Sequence, residues 1–272
     1  MRLRLPFDAR HLVLIPLSAI MLLPLAWMLA TSLQTLAETR HFPPTLIPSW
    51  HWSNYPNAWH VAPFGRFFIN SLIVTGAAVA GNLILCSLAG YAFARLRFPG
   101  REVLFVVMLA TLMVPFQVVM IPTFLIVQHL GMVDSLNALI VPNLVTPFGI
   151  FLLRQFFRTL PIELEEAARI DGCTRLGVLF RIVLPLSTPA LATLGIVIFL
   201  WTWNDFLWPL IVISSTDHST VQLGLASFQG AHQTRWNLLM AGNVMALAPM
   251  LIVFIVAQRW FVRSLAASGL RG

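Results

Sequence analysis

An all-α membrane protein with six transmembrane helices is the predicted fold, and three observations predict it. Hydrophobic residues make up 58% of the 272-residue chain and charged residues only 10%, a balance that needs lipid as solvent. Six apolar runs, near 12–33, 69–94, 103–127, 137–157, 187–212 and 239–261, are long enough to cross a hydrocarbon core of roughly 30 Å as helix. The arginines are distributed unequally between the segments that join these runs, which gives the bundle a direction.

The first run follows Arg2, Arg4 and Arg10, the basic start of a signal peptide. It outlasts an ordinary signal core and no small-residue cleavage pattern follows, so it is read as a retained span. All 17 basic residues are Arg. Fourteen of them fall on one side, in the N-terminal segment, at 95–101, at 154–181 and after 258; only Arg40, Arg66 and Arg235 fall on the other. The positive-inside rule then places both termini and the loop at 159–186 in the cytoplasm of a bacterial inner membrane. Trp50, Trp52, Tyr55 and Trp59 in the first outer loop, and Trp236 in the last, suit a membrane interface. Arginines set between apolar runs meet anionic headgroups rather than nucleic acid, so lipid is the expected partner of the net charge of +7.

Inside the spans, Gly76, Ala80 and Gly81 allow two helix backbones to approach closely, within the bundle or at a subunit interface. Pro115, Pro122, Pro142, Pro147 and Pro249 each remove a backbone donor that neighbouring helices or water must compensate. Cys86 and Cys173 are the only cysteines and read as small packing residues, with no metal site expected. Asp205 is the one acid inside a predicted span. With Trp203 and Asn204 it either lines a wet translocation path or anchors a helix end at the outer interface.

The loop at 159–186 carries the strongest pattern. Leu160 to Gly172 reads as a short helix, with Pro161 at a permissive first position, Glu163, Glu165 and Glu166 at the positive end of the dipole, and Gly172 as the stop. On a helical wheel Leu164, Ala167, Ala168 and Asp171 share one face, and Glu165, Glu166 and Arg169 the other. Thr174 is a predicted N-cap for a second piece, whose Leu176, Leu179, Phe180 and Val183 form an amphipathic stripe lying in the interface.

Glu166-Ala-Ala-Arg-Ile-Asp-Gly172, followed by Ile182-Val-Leu184-Pro185, resembles the EAA loop of ATP-binding-cassette (ABC) importer permeases. Asn70-Ser71, Ala89-Gly-Tyr-Ala-Phe93 before Arg95, Trp203-Asn-Asp-Phe206 and Trp208-Pro-Leu210 extend the resemblance to carbohydrate-uptake permeases of the maltose and glycerol-phosphate type. Cys173 stands where that family usually has Ala. The resemblance implies a single permease domain over 1–272 with the type I importer fold. It also implies sugar import driven by a cytoplasmic ABC ATPase dimer that holds ATP and Mg, with a second, nonidentical permease subunit and an extracytoplasmic sugar-binding protein. The coupling residues it implies are Glu165, Glu166, Ala167, Ala168, Asp171, Gly172, Leu184 and Pro185. The chain itself is expected to be no enzyme and to hold no cofactor: a phosphate-binding P-loop needs a Lys, and this chain has none.

An ion-coupled secondary transporter of a small polar solute is the competing reading. Such a carrier usually shows ionisable residues in its spans, and Asp205 is the only acid there. An intramembrane enzyme has no HExxH or GxSxG motif to support it, and His218 and His232 are read as solvated residues of the outer loop at 214–238.

Overall fold

The computed structural model describes residues 11–229 and 234–269, with side chains described as far as residue 256. His232 and the arginines at 2, 4, 10 and 271 lie outside the described residues. Among the described residues, four helices are long and apolar enough to cross a membrane, or six if each of two sharply bent pairs is one span. The chain divides into two units, residues 1–65 with 224–248, and residues 66–223 with 249–272.

In the first unit, α1 (His11–Ser32) is apolar around its whole circumference, and its first twenty residues bury almost nothing within this chain. Such a helix belongs in lipid or against another protein. Its C-terminal end is held by Asn54, the first residue of α2 (Asn54–Val61). The buried Asn54 amide donates to the carbonyls of Ser32 at 2.9 Å and Gln34 at 2.7 Å, and its oxygen accepts from Asn237 at 2.9 Å. One side chain thus satisfies carbonyls left open where α1 ends. Trp50, Trp52 and Tyr55 stack in series beside it, with both Trp rings largely exposed.

The second unit is built on α3 (Phe64–Arg95), one long helix with a π-turn at Asn82–Cys86. The predicted third span at 103–127 is not a straight helix. Pro115 separates α4 (Arg101–Met113) from α5 (Phe116–His129), and their axes meet at 105°. Val114 is driven to extended geometry, with φ −85° and ψ 117°, as expected of a residue before proline. The fourth span, Leu136–Thr159, is long enough to cross but interrupts its hydrogen bonding without a sharp bend, between α6 (Leu136–Ile140, with a 3-10 turn through Asn143) and α7 (Pro147–Thr159).

Asn82 compensates that break. Fully buried at the π-turn of α3, it donates to Asn143 O at 2.7 Å and to Ala78 O at 2.9 Å, and it accepts from the Thr146 hydroxyl at 2.7 Å. Thr146 in turn caps α7 by accepting from the Gly149 amide. The Asn143 carbonyl that Pro147 leaves open is therefore satisfied by a neighbouring helix, and the Ala138 carbonyl that Pro142 leaves open accepts from Trp208 Nε1 at 2.9 Å, as a fold in lipid requires. Cys86 is buried beside it with a free thiol.

After α8 (Glu163–Ile170) and α9 (Arg175–Leu186), the fifth span runs as α10 (Thr188–Trp203), which crosses α9 at 81°. The predicted helix to 212 stops early, at Trp203, and resumes as α11 (Leu207–Val212). Then come α12 (Val221–Ala226) and α13 (Trp236–Gly269), which passes through Pro249 without a break and outruns the predicted sixth span. The Asn70-Ser71 pair ties α3 to the segment before α12: Asn70 donates to the carbonyls of Asp217 and Ser219, and Ser71 Oγ accepts from the Val221 amide, each at 2.9 Å. Asp134 ties the loop before α6 to the residues after α11. Its carboxylate accepts from the Ser215 and Ser214 amides, which hold it below the usual carboxylate range.

The small residues of α3 divide by face. Gly81 lies so close to Leu144 that a Cβ would meet its side chain at 2.6 Å and its carbonyl at 2.9 Å, and a Cβ on Gly90 would meet the α7 backbone at Arg154 at 3.2 Å. At Gly76 it would meet nothing within 4 Å, and Gly76 and Ala80 are exposed. The close approach predicted for this stretch is thus made within the bundle by Gly81. We predict that Gly81→Val or Gly90→Val destabilises the protein by about 1–3 kcal/mol through overpacking, while Gly76→Val leaves stability unchanged, as read by thermal unfolding in detergent.

Candidate functional site: a loop helix clasped to the bundle

The helix α8 is eight residues long, starts with three acids in its first turn and ends at Gly172, whose φ of +84° is the left-handed conformation glycine adopts freely. Sequence reasoning placed Glu165 with Glu166 on one face and Ala168 with Leu164 on the other. The structure corrects this. Glu165 and Ala168 are the two buried residues, one turn apart on the inward edge, while Glu163, Glu166, Ala167 and Ile170 are exposed, Ile170 at 87%. The wheel angles stand; the body of the protein lies across the boundary between the two predicted faces.

Glu165 is held by α3. Its Oε1 lies 2.6 Å from Arg95 Nε, with both side chains about nine-tenths buried, and Tyr91 Oη donates to its Oε2 at 3.1 Å. Arg95 also donates to Leu160 O at 2.7 Å, closing the residue before the loop helix onto the same guanidinium. Arg95 thus fixes both the chain entering α8 and the helix itself. The planar guanidinium, with donors aimed in several directions, suits that double task where Lys does not. Ala168 completes the inward edge by packing into the core formed by Tyr91, Leu153, Phe157 and Leu179.

The same stretch of α3 meets α7 through Gly90 and Phe93. Arg154, counted at sequence level with the loop, is instead buried in the bundle. It donates to Phe93 O, pairs with both carboxylate oxygens of Glu102, and lies 3.7 Å over the Phe105 ring. The Ala89-Gly-Tyr-Ala-Phe93 motif and Arg95 therefore form one packing unit: Gly90 admits α7, and Tyr91 and Arg95 hold α8.

Beyond Gly172, Thr174 caps α9 as predicted, accepting from the Gly177 amide at 3.1 Å. The predicted stripe of Leu176, Leu179, Phe180 and Val183 divides: Leu176 and Phe180 are open on the surface, while Leu179 and Val183 pack into the core. A π-turn at Leu179–Val183 shifts the register, and Val178 is buried with them. Leu184 and Pro185 finish α9, where Ser187 closes the turn by donating to Val183 O at 2.7 Å. Asp171 is exposed at the C-terminal end of α8.

A second feature of this unit is a cavity of about 1070 Å³ lined by residues of α5, α7, α10 and the 142–146 break, among them Trp201, Asn204, Asp205 and Thr123. Asn204 and Asp205 are together here at the break between α10 and α11. Asp205 accepts from the Trp208 amide, and Asn204 receives a long contact of 3.4 Å from Gln222. Trp203 is not with them: it is buried, stacked on Phe199 at 5.6 Å. The exposed indole on the cavity is Trp201, two residues earlier and on the opposite side of the helix. Two of the three expected path residues thus meet at the cavity, and sequence reasoning missed Trp201.

Comparison with known proteins agrees with this architecture. The family described as "binding-protein-dependent transport system inner membrane component" matches residues 83–267, which include the clasp, the loop helix and the cavity. The chain belongs to this family. The probable ABC transporter permease protein YurM of Bacillus subtilis (strain 168) is 37% identical over 251 residues, 92% of this chain and 83% of the relative. The sn-glycerol-3-phosphate transport system permease protein UgpE of Pectobacterium atrosepticum is 39% identical, covering 85% of each chain. The arabinooligosaccharides transport system permease protein AraQ of Halalkalibacterium halodurans is 41% identical over 77% of this chain and 75% of its own length. Among solved structures, a chain of a bacterial ABC transporter involved in the import of the acidic polysaccharide alginate superposes with a TM-score of 0.79 at 25% identity, covering 94% of this chain and 99% of that one. Members of this family are transport components of the inner membrane, and the all-helical fold is that of ABC importer permeases.

The clasp makes a quantitative prediction. Glu165→Ala leaves Arg95 buried without its counter-charge, a change that costs about 3 kcal/mol, whereas Tyr91→Phe removes one hydrogen bond, worth about 1 kcal/mol. Proteolysis of the 160–175 segment in membrane vesicles is expected to accelerate strongly in the first variant and slightly in the second.

Proposed function

We propose that this chain is the membrane-spanning subunit of an ATP-driven importer for a sugar or sugar derivative, and that α8 is where a separate cytoplasmic ABC ATPase engages it. The observation that carries the reading is the division of α8 into a locked inward edge and an open outward one. Glu165 and Ala168 join the helix to the bundle, while Glu166, Ala167 and Ile170 are left exposed beside Glu163. An isoleucine 87% exposed next to acids on a helix too short to span fits a protein partner better than solvent. In this reading Glu166 makes the polar contact, Ala167 permits close approach, Gly172 sets the turn, and Asp171 lies beside the docking face. Glu165 and Ala168 serve the permease side, and Leu184 and Pro185 carry the movement toward α10.

Both termini and the 159–186 loop are cytoplasmic in this proposal, supported by the arginine asymmetry. The cavity beside Asn204, Asp205 and Trp201 is one wall of the translocation path, completed by a second permease subunit, and an extracytoplasmic sugar-binding protein delivers the solute. ATP and Mg belong to the ATPase partner, and the absence of any Lys supports assigning no P-loop to this chain. The relatives named for arabinooligosaccharides and glycerol 3-phosphate, and the neighbour named for alginate, support a carbohydrate-like solute without selecting one.

The test is co-purification of ATPase with the tagged chain. Glu166→Arg and Ile170→Asp are expected to lower the ATPase recovered by about tenfold or more, as loss of a desolvated contact does, with membrane insertion unchanged. ATPase recovered at the unaltered level with both variants contradicts the docking face. Uptake that collapses with a protonophore at constant ATP favours the ion-coupled carrier instead.

A further inference from the structure

The first unit contains a pocket of its own, none of whose lining residues belongs to the loop helix or to the cavity beside Asp205. It has a volume of about 220 Å³ and lies where α1 ends, the 34–45 segment folds back and α13 begins. Two indoles, Trp27 of α1 and Trp236 of α13, line it, and they are 40% and 45% exposed, so ring area is open to a ligand. The remaining lining is rich in hydrogen-bonding groups and includes Thr31, Gln34, Glu38 and His41.

These groups are pre-positioned by contacts within the unit. Glu38 Oε2 accepts from the Thr35 amide at 2.7 Å and from the Ser49 hydroxyl at 2.8 Å, which keeps the carboxyl ionised below its usual range and leaves Oε1 as an acceptor. His41 Nδ1 lies 3.0 Å from Pro43 O; a carbonyl only accepts, so Nδ1 is the donor and the ring is oriented by that bond. The buried Gln34 amide is locked by donation to Thr45 O at 2.6 Å. Thr31 Oγ1 is buried with no hydrogen-bond partner, although Thr31 belongs to the lining. A polar group in that state is stabilised by whatever ligand or water bonds to it.

Indole faces with fixed polar groups around them are the chemistry that recognises a hydroxyl-rich ring: the apolar face of the sugar stacks on the indole, and its hydroxyls bond to carboxylate and imidazole. The charge of the lining narrows the class. Among the described lining residues Glu38 is the one acid and there is no arginine, which disfavours a phosphorylated or acidic sugar.

We propose that this pocket binds a neutral sugar ring at the outer end of α1. The sidedness and the carbohydrate solute rest on the importer reading above; the pocket and its preference for a neutral ring rest on its own lining.

The experiment uses the full-length chain, purified in nanodiscs with the subunits that accompany it and labelled with 5-fluorotryptophan. The Trp27 and Trp236 resonances are assigned by Trp27→Phe and Trp236→Phe. Maltose, arabinobiose and glycerol 3-phosphate are titrated separately. The expected result is that both resonances shift saturably with at least one of the two neutral sugars and not with glycerol 3-phosphate. Glu38→Gln is expected to weaken that binding several-fold while the other seven of the nine tryptophan signals stay in place. Failure of either resonance to move with both neutral sugars overturns the proposal, and so does an equal response to glycerol 3-phosphate, which marks a phosphate or lipid-headgroup site. Either failure leaves the importer reading intact, because that reading is decided by ATPase recovery.

Discussion

The contact between Arg95 and Glu165 is the interaction on which the functional half of the molecule depends. A loop helix of eight residues cannot hold its place by its own hydrogen bonds. It is ordered here because a charge at the end of a long membrane helix meets a charge on its inward edge, with Tyr91 and the Leu160 carbonyl completing the set. Two nearly buried opposite charges are worth keeping only when each is well satisfied. Tyr91 on Glu165 Oε2 and the Leu160 carbonyl on Arg95 Nη2 supply hydrogen bonds, while Arg95 Nε and Glu165 Oε1 meet as an ion pair without hydrogen-bond geometry. The contact thus ties the position of α8 to that of α3 through charge.

The same logic of satisfied polar groups runs through the bundle. Asn82 bonds across the α6–α7 break, Asn70 and Ser71 secure the segment before α12, and Asn54 closes the end of α1. Each asparagine or serine stands where a backbone turns inside or beside an apolar environment, and each replaces bonds that water supplies elsewhere. Proline breaks are tolerated because these side chains are present. The bend at Pro115 turns the third apolar run away from a straight span, the fifth stops at Trp203, and the cavity lies at that stop.

Much of this was legible in the residues. Span existence, the loop helix, its stop at Gly172 and the Thr174 cap follow from hydropathy and local capping chemistry, which are properties of short windows. The failures have physical causes of a different kind. Periodicity gives the angles between side chains on α8 but not the direction from which the bundle approaches, so Glu165 was grouped with the outward Glu166. A π-turn adds one residue to a helical turn and leaves no distinct mark in composition, so periodicity does not tell that Leu179 and Val183 turn into the core while Leu176 and Phe180 stay on the surface. Arg154 reads as a loop charge by type, yet Glu102 and the Phe105 ring, some fifty residues away in the chain, give it a buried site. Trp201 and Trp203 are indistinguishable by type, and only packing of Trp203 on Phe199 separates cavity from core.

In the proposed importer, movement taken up at α8 reaches α3 through the Arg95–Glu165 contact. Uptake and ATP hydrolysis measured together on Arg95→Glu, Glu165→Arg and the double exchange test it most directly. Each single exchange is predicted to abolish uptake while ATPase stays associated, and the double exchange to restore a substantial fraction of it. Full uptake in either single variant, or no recovery in a double variant that folds and retains its ATPase, contradicts the account.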